Sequence, residues 1–147
     1  NYYWFLLVPR INNIKELYDL SQKDRIQLDF ETVEVAKFIK LSFKPEKINI
    51  ASLGNIVSQF HTHIIGRFVD DPAWPGAVWG KVGFNQYKSK ELTSIINLSR
   101  SFSKTLKNIQ IESTNFNVYV KSILTLSVEG AFVFSIISSL FIIYPFI

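Results

Sequence analysis

The sequence predicts an α+β domain followed by a hydrophobic C-terminal extension. Three observations carry that prediction. Short apolar runs bounded by Pro and Gly read as strands. Two longer stretches repeat apolar residues at helical spacing. Beyond residue 112 the composition shifts, and Lys121 and Glu129 are the only charged residues of 113–147. The expected organisation is therefore a domain over 1–112 and a tail over 113–147. With 147 residues the chain is long enough for one domain with a real core.

The elements follow in order. Trp4 to Val8 is an apolar run stopped by Pro9, which reads as a buried strand. Arg10 to Asp19 reads as a connection. Ser21 followed by Asp24 is an N-cap with an acidic first turn. Ile26, Phe30 and Val33 then mark one face of a helix running to about Phe43, and Lys44-Pro45-Glu46 ends it. Ile48 to Leu53 is a second strand, broken by Gly54 and Asn55. Val57 to Phe68 is a third. Asp70 to Gly80 is a loop rich in Pro, Gly and Trp. Leu92, Ile95, Ile96, Phe102 and Leu106 recur at the spacing of a second amphipathic helix. No internal repeat is visible.

Composition narrows the chemistry. There is no cysteine, which excludes disulfides, thiolate zinc sites and a cysteine nucleophile and fits a reducing, cytoplasmic setting. Sixteen basic residues against twelve acidic ones suit a phosphate-bearing ligand, but the charges alternate and form no block, so no nucleic-acid partner is expected. The chain has no Met and opens within a strand-like run. The expectation is an N-terminally truncated chain with no secretory signal. From Gly130 to Ile147 no residue is charged, and the run is just long enough for a membrane helix. A membrane tether, an extension packed on the domain or a partner, and sequence foreign to the native product all stay open for this tail.

Both histidines fall in one segment, from Gln59 to Arg67. On a strand, alternate side chains share a face, so Gln59, His61 and His63 would point the same way, roughly 7 Å apart. Phe60, Thr62 and Ile64 would face the other side. A polar row on an apolar strand is costly unless it lines a site. Neutral imidazole can attack phosphorus near neutral pH, and a neighbouring imidazole or amide can fix its tautomer. Arg67 would add positive charge near the strand end. From spacing alone a structural pair, a metal site and a catalytic pair all stay open. A zinc site would need a third ligand, and the nearest carboxylates, Asp70 and Asp71, lie beyond the strand, which disfavours metal. Asp70 and Asp71 read as loop caps.

The stretch INIASLGNIVSQFHTHIIGRFVDDPAWPGAVWG, residues 48–80, resembles a bacterial branch of the histidine triad (HIT) family. That branch carries a Q-x-H-x-H-x-x-x-R pattern, here Gln59, His61, His63 and Arg67. The upstream WFLLVPR run fits the same branch, and the resemblance covers roughly residues 1 to 103. It implies an antiparallel sheet flanked by helices and a homodimer. It implies a hydrolase or transferase acting at the α-phosphate of nucleotide conjugates, such as dinucleoside polyphosphates or nucleoside phosphoramidates. His61 matches the histidine that forms a nucleotidyl-histidine intermediate, and His63 matches the one that assists the phosphate oxygens or leaving group. Gln59 replaces a third, orienting histidine; an amide can hydrogen-bond but cannot titrate. The resemblance places Asn55 near a phosphate-contacting position, although a turn residue after Gly54 is an equal reading. Arg67 reads equally as a phosphate contact or a strand-end charge. Trp74 and Trp79 could flank a nucleobase or anchor their loop on the core. Neither cofactor nor metal is required. The resemblance implies an N-terminal strand pair that helps to build the nucleoside pocket, and the expectation is that this sequence opens after it. The alternative function is a catalytically weak nucleotide-binding or scaffold module.

Overall fold

The computed structural model describes residues 2–80, 87–108, 120–127 and 131–135, with side chains as far as Phe102. The elements run β1 (Tyr3–Pro9), a 3-10 turn (Leu17–Asp19), α1 (Gln22–Phe43), β2 (Lys47–Ala51), β3 (Thr62–Arg67), α2 (Ser89–Asn108), β4 (Val120–Ser127) and β5 (Ala131–Ser135). The strands form one sheet in the order β2-β3-β1-β4-β5, and each neighbouring pair is antiparallel. This is the α+β, antiparallel architecture that the sequence and its resemblance led us to expect.

Helix α1 begins and ends where its sequence says it should. The Ser21 hydroxyl accepts from the Asp24 amide at 3.2 Å, satisfying one of the orphan donors of the first turn. At the far end Lys44 adopts the left-handed conformation with φ 55°, and its amide closes on the Lys40 carbonyl. Pro45 disfavours helical geometry at the residue before it, so the chain must turn there.

The buried face of α1 differs from the expected one. Leu28, Thr32, Val35, Phe38 and Ile39 are buried, whereas Ile26 and Val33 are 55% and 42% exposed. Two apolar stripes coexist on this helix, and periodicity cannot say which one meets the sheet. The packing selects the stripe that carries Val35 and Ile39.

One face of the sheet makes the main core. Phe5 and Leu7 of β1 and Ile64 of β3 pack with Val35, Phe38 and Ile39 of α1, with Ile95 of α2 and with Phe60. Phe102 stacks on Phe38 with ring centroids 4.3 Å apart. Leu92 and Ile96 join the same cluster, as the helical spacing predicts; the Leu106 side chain lies outside the described residues. Gly66 allows β3 to approach the end of α1. A Cβ there would stand 3.0 Å from Ile39 Cγ2 and 3.3 Å from Pro45. The opposite face carries Trp4, Leu6, His63 and Ile65, and the loop after β3 folds over it through Ala73, Val78 and Trp79.

The third strand is shorter than expected. Hydrogen-bonded strand starts at Thr62, not Val57, and Gln59 lies in an irregular segment. That segment finds its partners in the loop after β1. The Phe60 amide donates to the Ile14 carbonyl at 2.7 Å, and the Gln59 amide group donates to the Ile11 carbonyl at 3.1 Å.

Most of the tail over 113–147, and with it the membrane reading of 130–147, lies outside the described residues. Within it, β4 pairs with β1 and β5 pairs with β4. Among the described residues no helix is long and apolar enough to cross a membrane.

Candidate active site

The two histidines stand at the start of β3, on the face away from α1. His63 lies opposite Leu6 of β1 and Ala51 of β2. His61 sits one residue before the strand, where the Ser52 hydroxyl donates to its carbonyl at 2.6 Å. The alternation expected from the sequence therefore holds for this pair: both rings share one side, with centroids 4.8 Å apart and planes at 70°. Phe60 and Ile64 point into the core beneath α1.

The hydrogen bonds fix the tautomer of each ring. His61 Nδ1 lies 2.7 Å from the Gln59 main-chain carbonyl. A carbonyl can only accept, so Nδ1 carries a proton, and in the neutral ring the lone pair is on Nε2. His63 Nδ1 lies 2.9 Å from the Trp4 indole nitrogen. An indole N–H can only donate, so here Nδ1 is the acceptor. Burial, and then the neighbouring His61, push the His63 imidazole down to about 4 from its ordinary value. It is neutral at pH 7.

Gln59 does not join the histidines through its side chain. Its amide group is turned to Ile11, and its contribution to the pair is the carbonyl that holds His61. The reason is the late start of β3: without strand pairing at residue 59, the side-chain alternation that would align Gln59 with His61 lapses.

Arg67 stands at the strand end, as expected, but its side chain turns into the fold. Its side chain is only 1% exposed, and its guanidinium grips Asp71 in a fork, Nε to Oδ2 at 2.7 Å and Nη2 to Oδ1 at 2.9 Å. The remaining nitrogen, Nη1, donates to Asn49 Oδ1 at 2.7 Å and to the Gly76 carbonyl at 2.9 Å. A buried guanidinium needs this full set of acceptors, so the positive charge the sequence offered to a phosphate is spent on the fold. Asp71 does turn the loop, accepting from the amides of Phe68 and Ala73. Burial alone would raise its carboxyl; the Arg67 hydrogen bonds and those two amides outweigh it and hold Asp71 at about 2.

Of the remaining candidates, Trp79 packs on His63, with ring centroids 5.4 Å apart. Trp74 is 38% exposed and lies over the Arg67 guanidinium at 5.9 Å. Asn55 is exposed in the bend after Gly54, which has φ +156°. Among the described residues no group of three His, Asp or Glu side chains comes together to hold a metal.

The sequence profile of the HIT domain matches residues 1–70. A HIT protein from Sinorhizobium meliloti 1021 is 42% identical, with a TM-score of 0.60 over 66% of this chain and 73% of its own. A histidine triad protein from Bradyrhizobium japonicum is 40% identical, with a TM-score of 0.65 over 68% of this chain and 75% of its own. The chain belongs to the histidine triad family. A third HIT structure, from Marinobacter aquaeolei VT8, is 37% identical, with a TM-score of 0.65 over 70% of this chain and 75% of its own. No curated protein matches this chain.

Within this HIT site the sequence missed Trp4, Ser52 and Asn49. Trp4 reads as one more apolar strand residue. Only the register, which sets Trp4 against Ile65 and Leu6 against His63, makes Trp4 the diagonal neighbour of His63. Ser52 and Asn49 carry no local signal; their partners lie nine and eighteen residues away.

Proposed function

We propose that this HIT protein is a hydrolase or transferase acting at the α-phosphate of nucleotide conjugates, with His61 as nucleophile. The observation that carries the reading is the bond from His61 Nδ1 to the Gln59 carbonyl, which leaves the Nε2 lone pair for attack. Nε2 forms a bond to the α-phosphorus as the bond to the leaving group breaks, giving a nucleotidyl-His61 intermediate. Water then attacks the same phosphorus, Nε2 departs, and the nucleoside monophosphate is released. The displacement is in line, and polar groups around the phosphorus stabilise its equatorial oxygens. His63, 4.8 Å away ring to ring, is the neighbour that assists. Dinucleoside polyphosphates and nucleoside phosphoramidates share the required α-phosphate. Asn55 as a phosphate contact and Trp74 as a base contact extend the same reading.

Incubation with a panel of adenosine conjugates tests it. AMP release is expected from the wild-type protein and is expected to vanish in His61→Ala with the circular dichroism spectrum unchanged. Full activity in that variant would sink the reading. A binding module without chemistry is the second reading, favoured by the commitment of Gln59 to Ile11 and of Arg67 to Asp71. AMP binding without AMP release would select it.

We further propose a homodimer in the cytoplasm. The exposed apolar side chains Ile26 and Val33 on α1 and Ile50 on the edge strand β2 support a self-association surface.

A further inference from the structure

We propose that Trp4 is a positioning residue that locks His63 with its proton on Nε2, so that His63 presents an N–H, not a lone pair, to the phosphate held at His61. The inference rests on the reading of His61 as the nucleophile.

The indole nitrogen of Trp4 reaches His63 Nδ1 at 2.9 Å. Since indole has no acceptor, Nδ1 must be the unprotonated nitrogen, and a neutral imidazole then carries its single proton on Nε2. Protonation of Nδ1 would set one N–H against another, which opposes the imidazolium in addition to burial. The ring is also gripped. Trp4, His63 and Trp79 meet edge to face, with centroid separations of 5.4 Å for Trp4 and His63, 5.4 Å for His63 and Trp79, and 5.7 Å for the two indoles. A flip of the imidazole would exchange Nδ1 for a C–H and leave the half-buried indole N–H without its acceptor. His61 carries the opposite arrangement, with its proton on Nδ1. The two rings are therefore a lone pair and a hydrogen-bond donor side by side.

This arrangement discriminates between leaving groups. A neutral imidazole N–H can stabilise negative charge on oxygen by hydrogen bonding, but it yields its proton poorly. A phosphoanhydride suits it: the Nε2–phosphorus bond of His61 forms, the phosphorus–oxygen bond breaks, and the electron pair leaves on a phosphate oxygen that needs no proton. A phosphoramidate leaves as an amine, which requires a proton that His63 in this state does not supply. Nucleoside phosphoanhydrides, such as dinucleoside polyphosphates, are the substrate class this geometry selects.

The test is a nitrogen-15 spectrum of histidine-labelled protein at pH 7. The chain has only two histidines, so a His61→Ala sample assigns the signals. We expect His63 to show an unprotonated Nδ1 and a protonated Nε2, and Trp4→Phe to average or reverse that pattern. A protonated Nδ1 in the wild-type protein overturns the proposal, as does an unchanged tautomer in folded Trp4→Phe. The wild-type spectrum decides even if the variant fails to fold. Kinetically, Trp4→Phe is expected to lower kcat for a dinucleoside polyphosphate roughly tenfold, with KM little changed. An equal kcat in the two proteins would also overturn it. If no conjugate is turned over, the nucleophile reading fails while the spectrum still judges the role of Trp4.

Discussion

His63 binds its environment to pH. Its folded-state value, about 4, lies below the value of about 6.5 that it regains on unfolding. The unfolded chain therefore takes up a proton as pH falls through 6.5 while the folded chain does not. The stability contributed by keeping His63 neutral is fully present above pH 6.5 and is lost as pH falls to 4. Between pH 7 and pH 5 the loss is about 2 kcal/mol. Asp71 adds nothing in that window, because its own loss begins only below its unfolded value and runs down to about 2. Urea unfolding at pH 7 and pH 5 should show the fall in the wild-type protein and a much smaller one in His63→Gln. An equal fall in both proteins would mean that another group carries the acid sensitivity.

At the scale of elements, the loop from Phe68 to Gly80 is held by one buried ion pair, not by apolar contact alone. Arg67 ends β3, and Asp71 organises the turn that follows it. Through Nη1 the same guanidinium reaches Asn49 in β2 and Gly76 in the loop, so it joins two strands and a turn. Removing one partner leaves the other charge buried and alone. Arg67→Met is therefore expected to lower stability by about 3–5 kcal/mol in equilibrium denaturation. A loss below about 1 kcal/mol would show that Ala73 and Val78 anchor the loop without the pair. The effect reaches the site, because this loop carries Trp79 onto His63.

At the scale of the molecule, β1 lies inside the sheet, between β3 and β4, and β5 is the outer strand on that side. β4 pairs with β1 from Trp4 to Pro9, the stretch that also carries the indole partner of His63. Truncation after Asn108 would bare the β1 ladder, and an exposed strand edge recruits other chains. Light scattering is expected to show a concentration-dependent rise in mass relative to the full chain. An unchanged mass would mean that β1 needs no cover.

Much of this was legible in the residues. The N-cap at Ser21, the stop at Pro45, the apolar run ended by Pro9 and the helical spacing from Leu92 onward are local signals, and each fixed its element. So was the shared face of His61 and His63, because strand alternation is a property of the backbone itself. The family pattern pointed to the same two histidines. What only the tertiary structure decided depends on partners distant in the chain. Helix α1 carries two apolar stripes, and the sheet buries the one with Leu28 and Val35. Gln59 turns to Ile11 because the loop, not a strand, supplies its neighbours. Arg67 became a structural residue because folding set Asp71, Asn49 and Gly76 around a charge that could not be buried alone. Trp4 met His63 because the register of β1 on β3 made them diagonal neighbours, a relation that no spacing within either strand contains.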